Sequence, residues 1–308
     1  MLESVGVGAR VEAFIMSMFR WLCFLWCIGV SMHTSLGLLE RNLHDRSSVH
    51  VRNVFRSKGP TGSVSRVFHR VDLSPQTLIR RMLNYAQSTG EKVLLIDVGA
   101  HHGQEALIAV EHGMRVVSYD PDPRNIPIYK EKLKGFEHLY RLEKAGVSDQ
   151  EGSLPFSFHP HHTDWTCLHC LGQNPEDIRQ ETVPVVTLDG SILPEEVENS
   201  HWMLLKIDVQ GHELSVLKGG SKLLQSGKVP VVIFEYTPSH LRSSGVSSPQ
   251  TLLDYIQSFG YDCFDLQWNP REGRGFGTSS LSKLSNGDFT SQLDQNSNWA
   301  YTDILCSL

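Results

Sequence analysis

The chain has 308 residues, 40% of them hydrophobic and 20% charged, which suits one α/β domain of about 200 to 250 residues plus additional segments. A formal net charge of -6 gives no global pull toward nucleic acid, so no nucleic-acid partner is expected. Six cysteines are ordinary usage for this length and do not read as a disulfide framework.

Residues 1–40 form a hydrophobic N-terminal segment. Positions 14–19 and 21–30 are almost wholly apolar, broken by Ser17, Arg20 and Gly29, with Arg10 ahead of them. This pattern leads us to expect a signal-anchor, hence a membrane-associated protein with a single-pass N-terminal anchor, in the endomembrane system. A removed signal peptide or a buried helix are the competing readings. Residues 41–72 read as a basic, Ser-containing linker, with Arg41, Arg46, Arg52, Arg56, Lys58, Arg66 and Arg70 against two acids, Asp45 and Asp72. That flank favours a cytosolic C-terminal domain, whereas its Arg- and Ser-rich composition also suits organelle targeting.

The domain proper is expected over residues 73–308. Ser74-Pro75 starts a helix as N-cap and first helical position, Leu78, Ile79, Met82, Leu83 and Ala86 recur at helical spacing, and Gly90 ends it. Four short apolar runs follow, at Val93–Asp97, Arg115–Asp120, Met203–Asp208 and Val231–Glu235. Without polar alternation, they read as parallel strands buried on both faces. Helical patterns lie between them, near 103–112, 124–134 and 212–225. Strands alternating with helices predict a doubly wound, mostly parallel sheet with helices on both faces. Leu139–Leu142 and Val183–Leu188 are further strand candidates. Ser248–Phe259 reads as a helix, Tyr261–Leu266 and Ala300–Cys306 as strands, and 271–298 as their long connection.

The first strand ends at Asp97 and turns through Val98-Gly99-Ala100-His101-His102-Gly103 into a helix. Ligands of open α/β sheets bind outside the carboxyl ends of strands. A glycine there admits close approach, and the helix N-terminus behind it favours a carboxylate. The spacing D-x-G-x-x-x-G differs from the dinucleotide signature G-x-G-x-x-G, which argues against a nicotinamide-dependent oxidoreductase. Asp120 ends the second strand about 20 residues on, where a carboxylate accepts hydrogen bonds from both hydroxyls of a ribose. A helix N-cap is the plainer role for it. Asp208 and Glu235 end two further strands over the same cleft.

Asp97-x-Gly99-x-x-x-Gly103, Tyr119-Asp120-Pro121, Lys206-Ile-Asp208-Val-x-Gly211-x-Glu213 and Val232-Ile-Phe-Glu235 occur in this order over about residues 90–265. Together they resemble the FkbM-type methyltransferases. The resemblance implies a Rossmann-like methyltransferase fold, with a seven-stranded sheet and an antiparallel edge strand. It also implies transfer of a methyl group from S-adenosyl-L-methionine to oxygen, often a hydroxyl of a sugar or another small molecule. Asp97, Gly99, His101 and Gly103 would then line the methionine part of the cofactor and Asp120 its ribose. Val147 and Ser148, in the segment Ala145–Asp149, would lie near the adenine. The acceptor would be a small molecule or glycan.

A hydroxyl acceptor needs a base within hydrogen-bond reach. Asp208 is the first candidate and Glu235 the second. His212 and His102 titrate near neutral pH and are the alternatives, against a plain loop or cap role. Gln210 stands where the family usually has an acid. For that reason a membrane-tethered, non-catalytic binding protein on the same fold is the competing function. His159, His161, His162, Cys167, His169 and Cys170 crowd 12 positions. Without a second well-spaced pair, we read them as a substrate-facing loop or a local disulfide rather than a zinc site, and expect no metal.

Overall fold

A computed structural model describes residues 74–159, 162–168, 179–266, 290, 291, 293 and 301–308. All belong to one compact unit, Phe68–Leu308. It opens with α1 (Pro75–Thr89), capped as the sequence predicts. The Ser74 side chain accepts from the Thr77 amide at 3.4 Å, and Gly90 closes the helix in the left-handed conformation.

Next come β1 (Val93–Val98), α2 (Gln104–Glu111), β2 (Arg115–Tyr119), α3 (Asn125–Lys132), β3 (Tyr140–Glu143) and β4 (Gly146–Val147). The middle of the chain adds β5 (Gly152–His159), β6 (His162–Leu168), β7 (Arg179–Val186), α4 (Leu188–Ser191) and α5 (Pro194–Glu198). The alternation resumes with β8 (Trp202–Ile207), α6 (Glu213–Gly219), α7 (Ser221–Gln225), β9 (Val231–Tyr236), α8 (Pro238–Ser243) and α9 (Gln250–Gln257), and closes with β10 (Asp262–Asp265) and β11 (Thr302–Ser307).

Seven strands form the main sheet, in the order β10-β11-β9-β8-β1-β2-β3. The pairs among β9, β8, β1, β2 and β3 are parallel, and β11 runs antiparallel to both of its neighbours. The edge pair, β10 and β11, is thus antiparallel, as the sequence reading expects, and the reversed strand is β11. It lies between β9 and β10, and β10 is the edge. Cys263 and Cys306 face each other across β10 and β11 and form a disulfide, with Cα atoms 4.1 Å apart.

All six residues of β1 are buried, as the unbroken apolar run requires. Leu94, Ile96 and Val98 join one core with Met203, Leu205, Ile207, Phe234 and the buried faces of α6 and α9. Leu95 and Asp97 point the other way, toward the layer where α2 packs on β1 and β2 and α1 packs on α2. The stripe predicted over 212–225 is split at Gly220, whose Cβ would come within 3.0 Å of Leu188.

A second sheet, in the order β4-β7-β5-β6, corrects one sequence reading. Part of the His- and Cys-rich stretch read as a substrate-facing loop lies in strands, β5 and β6, while the strand candidate Val183–Leu188 is β7 as far as Val186, with Leu188 in α4. The expected localisation is also corrected. No helix among the described residues is long and apolar enough to cross a membrane. The 15-residue α1 is about 22 Å long, short of an apolar layer of about 30 Å, and it carries Arg80 and Arg81. The segment at 1–40, on which the anchor was read, and the linker at 41–72 lie outside the described residues, as does most of 271–298.

Candidate active site

The carboxyl ends of β1, β2, β8 and β9 open on two adjoining cavities. The larger, about 340 Å³, runs along the tips of β8, β1 and β2 and under the hairpin of β5 and β6. The smaller, about 270 Å³, lies over β8, β9 and β11. Gln76, Glu105, Lys206 and Asp208 line both.

Gly99 turns the chain off β1 with φ of 78°. A Cβ there would sit 1.8 Å from the Asp208 carbonyl oxygen, so the glycine is needed first for the close passage of two backbones. The Gly99 and Ala100 amides both donate to the Tyr119 carbonyl at 3.0 Å. His101 takes a positive φ of 47° and its ring stacks on His102. Gly103 lies outside both linings. Its φ is 74°, and a Cβ would meet the Tyr129 ring at 2.8 Å, so this glycine serves the packing of α2 on α3.

Asp120 lines the larger cavity at the tip of β2 and is 5% exposed. Its Oδ2 accepts from the His101 amide at 2.7 Å, its Oδ1 from the Asp122 amide at 2.9 Å, and both from Asn125 Nδ2 at 3.3 Å. Burial pushes its pKa up to about 6, against the pull of these donors. A carboxylate has about four lone-pair sites, and these contacts engage all four, the two from Asn125 at 3.3 Å being the ones a ribose hydroxyl would share or displace. Val147, Phe156 and Leu168 make this end of the cleft apolar. Arg124 sits over the Phe158 ring at 4.7 Å and ties the start of α3 to the hairpin.

The other end is ionic. Asp97 is fully buried beneath the cleft and lines neither cavity. Its carboxylate lies 3.4 Å from Lys206 Nζ, which also donates to the Gly99 carbonyl at 2.9 Å and lies 3.9 Å from Asp208. Burial works to raise the Asp208 pKa, but the Lys206 charge and donors from Glu235 and Gln210 outweigh it and hold the pKa below the usual value. Glu235 moves the opposite way, raised well above normal by burial and then by the Asp208 charge. The pair divides its roles, with Asp208 ionised and Glu235 keeping a proton directed at Asp208. Gln210 Nε2 bridges them, donating to Asp208 Oδ1 at 3.0 Å and Glu235 Oε2 at 2.7 Å, from a backbone with φ of 55°.

The two remaining sequence candidates stand apart. His212 is the N-cap residue of α6, and its Nε2 is 3.0 Å from Ser148 Oγ. Neither residue lines either of these two cavities. Residues that the sequence reading did not single out do line them: Gln76, Glu105, Asn125, Phe156, Thr166, Leu168 and Asp303. Of these, Phe156 carried a legible signal, the alternation Leu154, Phe156, Phe158. Cys167 lines the larger cavity and is disulfide-bonded, which removes its thiolate as a metal ligand. Among the described residues no group of three or more His, Cys, Asp or Glu is arranged to hold a metal. His161, His169 and Cys170 lie outside the described residues.

A mostly parallel seven-stranded sheet with one reversed strand next to its edge, and a cleft over the tips of its central strands, defines the class: a Rossmann-like methyltransferase fold. A model of the methyltransferase FkbM domain matches residues 97–263, and the chain belongs to that family. It is 28% identical over 171 residues to the hexuronic acid methyltransferase AglP of Haloferax volcanii. That match spans 55% of this chain and 66% of the relative, just under two thirds of its length. Among solved structures it is similar to a putative O-methyltransferase from Klebsiella pneumoniae, with 11% identity, 78% of this chain and 82% of the other covered, and a TM-score of 0.35. An O-methyltransferase from Bacillus cereus in complex with SAH gives 12% identity, coverage of 78% and 83%, and a TM-score of 0.34.

Proposed function

We propose that the chain is an S-adenosyl-L-methionine-dependent methyltransferase acting on a hydroxyl oxygen of a sugar or related small molecule, with residues 73–308 as the methyltransferase domain. One observation carries this reading: Asp208, held ionised, lines both cavities at once. A group in the larger cavity and a group in the smaller would therefore meet at the same carboxylate. Family membership supports the reaction class. The name of the Haloferax volcanii relative supports a sugar acceptor.

The larger cavity fits the cofactor on its own chemistry. An acceptor carboxylate at Asp120 suits a ribose, the apolar end by Val147, Phe156 and Leu168 suits a base, and the start of α2, reached through His102 and Gln104, suits a carboxylate. The bound cofactor would supply a methyl group on a sulfonium, already a good leaving group. What remains for the protein is alignment and removal of one proton.

With the cofactor held by Asp120 and the apolar end of the larger cavity, the acceptor hydroxyl would give its proton to Asp208 as it takes up the methyl group that the cofactor supplies. Lys206 keeps Asp208 anionic beforehand. Gln210 fixes the carboxylate, and Glu235 offers its proton to the other side of the pair. Calorimetry with S-adenosylmethionine, followed by a transfer assay with labelled cofactor on cell-extract fractions, tests the proposal. Absence of binding to the wild-type chain sinks it. Binding without transfer to any fraction favours the non-catalytic alternative.

A further inference from the structure

The sequence places Asp97 on the cofactor, yet the fold buries it completely beneath the cleft, in the lining of neither cavity. What it meets there is the Lys206 ammonium, at 3.4 Å. An ammonium has three N–H donors. One goes to the Gly99 carbonyl at 2.9 Å, and the charge is left between Asp97 at 3.4 Å and Asp208 at 3.9 Å. A closed ammonium–carboxylate pair is shorter, about 2.7 to 2.9 Å. Lys206 is therefore closed on neither carboxylate and stands nearer the buried one.

We infer that Asp97 is a positioning residue for the transfer: its charge holds the Lys206 ammonium back from Asp208 and so keeps Asp208 the stronger base. The role in transfer rests on the methyltransferase reading, whereas the division of Lys206 between two carboxylates does not. With Asp97 neutral, Asp208 is the carboxylate left in contact with the ammonium. Closing that pair from 3.9 Å to about 2.8 Å, at an effective dielectric of about 20, weakens Asp208 as a base on the order of tenfold. Loss of the like charge on Asp97 acts in the same direction.

Burial raises the Asp97 pKa to about 7, with Lys206 opposing it and Glu105 and Asp208 adding to it. Above about pH 7 Asp97 is an anion and shares Lys206. As the pH falls through about 7 it takes up a proton, Lys206 closes on Asp208, and transfer slows. Asp208, whose pKa stays below its usual value despite burial, is ionised throughout. The other titratable groups acting on these three residues are Glu105 on α2, His101 after β1, Tyr129 on α3, Glu213 on α6, Glu235 on β9 and His240 on α8, with Asp303 on β11 acting on Glu235. All of them remain when Asp97 alone is changed, so their effects cancel in the comparison.

The test labels the full chain with carbon-13 at the aspartate carboxyls, without cofactor or acceptor, and identifies the Asp208 signal by its loss in Asp208→Asn. From about pH 5.5 to 8.5 the wild-type Asp208 signal should step with a midpoint near 7, and in Asp97→Asn that step should vanish. Absence of the wild-type step, or the same step in Asp97→Asn, overturns the inference. Should Asp97→Asn not fold, Lys206→Met takes its place, with the same two outcomes. Single-turnover transfer at saturating labelled S-adenosylmethionine, on an extract fraction that takes up label, reads the consequence. The wild-type rate should rise about three- to tenfold from about pH 6 to 8, because part of a change in basicity reaches the rate, and it should be flat in Asp97→Asn. A rise retained in the variant overturns the positioning role. A carboxyl step with no label transferred to any fraction sinks the methyl-transfer reading, and the role of Asp97 in transfer with it, while the division of Lys206 stands.

Discussion

Asp208 and Glu235 are chemically similar and lie at neighbouring strand ends, yet their surroundings drive them apart. Lys206 sits on one side of the pair and burial dominates on the other. Replacing Asp208 with Asn should leave cofactor affinity within about twofold of wild type. It should lower the transfer rate by about 10²- to 10⁴-fold, the usual contribution of a positioned base. Single-turnover rates and calorimetry measured side by side check this split.

Asp120 gives a pH signature. Its pKa is raised to about 6, so above that pH the side chain is an anion able to accept from a ribose hydroxyl. As the pH falls through about 6 it gains a proton and loses that acceptor. Affinity for S-adenosylmethionine should therefore weaken from pH 7.5 to 5. In Asp120→Asn the affinity should be weak throughout, and this part of the pH slope should vanish. An unchanged slope in the variant would remove Asp120 from the cofactor site.

At the scale of elements, two turns hold the site together. The turn after β1 passes so close to the end of β8 that Gly99→Ala would place its methyl group 1.8 Å from the Asp208 carbonyl oxygen, on a backbone with φ of 78°. Strain in the left-handed region and displaced strand tips should together cost at least about 3 kcal/mol and abolish cofactor binding. Thermal denaturation and calorimetry read both effects.

The turn after β8 is held by Glu213, whose Oε1 accepts from the Gly211 amide at 3.0 Å and the Val209 amide at 3.3 Å. Burial raises its pKa to about 7 from an ordinary 4.5. The folded chain therefore binds this proton over a window, from about 4.5 to 7, where the unfolded chain has released it. The linkage slope is negative in that window. Stability of the wild type relative to Glu213→Gln should fall as pH rises from 4.5 to 7 and level off above. A difference that rises with pH would contradict the assignment.

At the scale of the whole molecule, the edge of the main sheet depends on a covalent tie. The Cys263–Cys306 bond closes a connection of 43 residues and fastens β10 to β11, which carries Asp303 into the smaller cavity. In the chain-entropy account a loop of this length gives about 4 kcal/mol, with 2 to 4 typical of measured cases. Replacing both cysteines with Ser should therefore lower the unfolding free energy by about 2 to 4 kcal/mol. Because Asp303 hangs from the same strand, acceptor KM should rise while cofactor affinity holds. Denaturant titrations with and without reductant check the first part.

Much of this was legible before any coordinates. Long-range order in a doubly wound sheet comes from local patterns. The unbroken apolar runs of β1, β2, β8 and β9 could bury both faces only inside a parallel sheet, and Ser74-Pro75 and Gly90 set the ends of α1 through backbone chemistry confined to a few residues. The carboxylates at the strand tips, Asp120, Asp208 and Glu235, were legible for the same reason, since a strand's last residue points its chemistry at the cleft. Tertiary structure alone decided what depends on contacts between distant segments. It placed β11 inside the edge, joined Cys263 to Cys306 and folded the stretch after β4 into a second sheet. It assigned Gly103 to helix packing, put His212 on Ser148 outside the cavities, and set Lys206 between Asp97 and Asp208. Charge state belongs to this second group. Which carboxylate keeps its proton is fixed by burial and by which groups the fold brings together: Lys206 is only two residues from Asp208, but the depth of burial and the approach of Glu235 carry no local pattern.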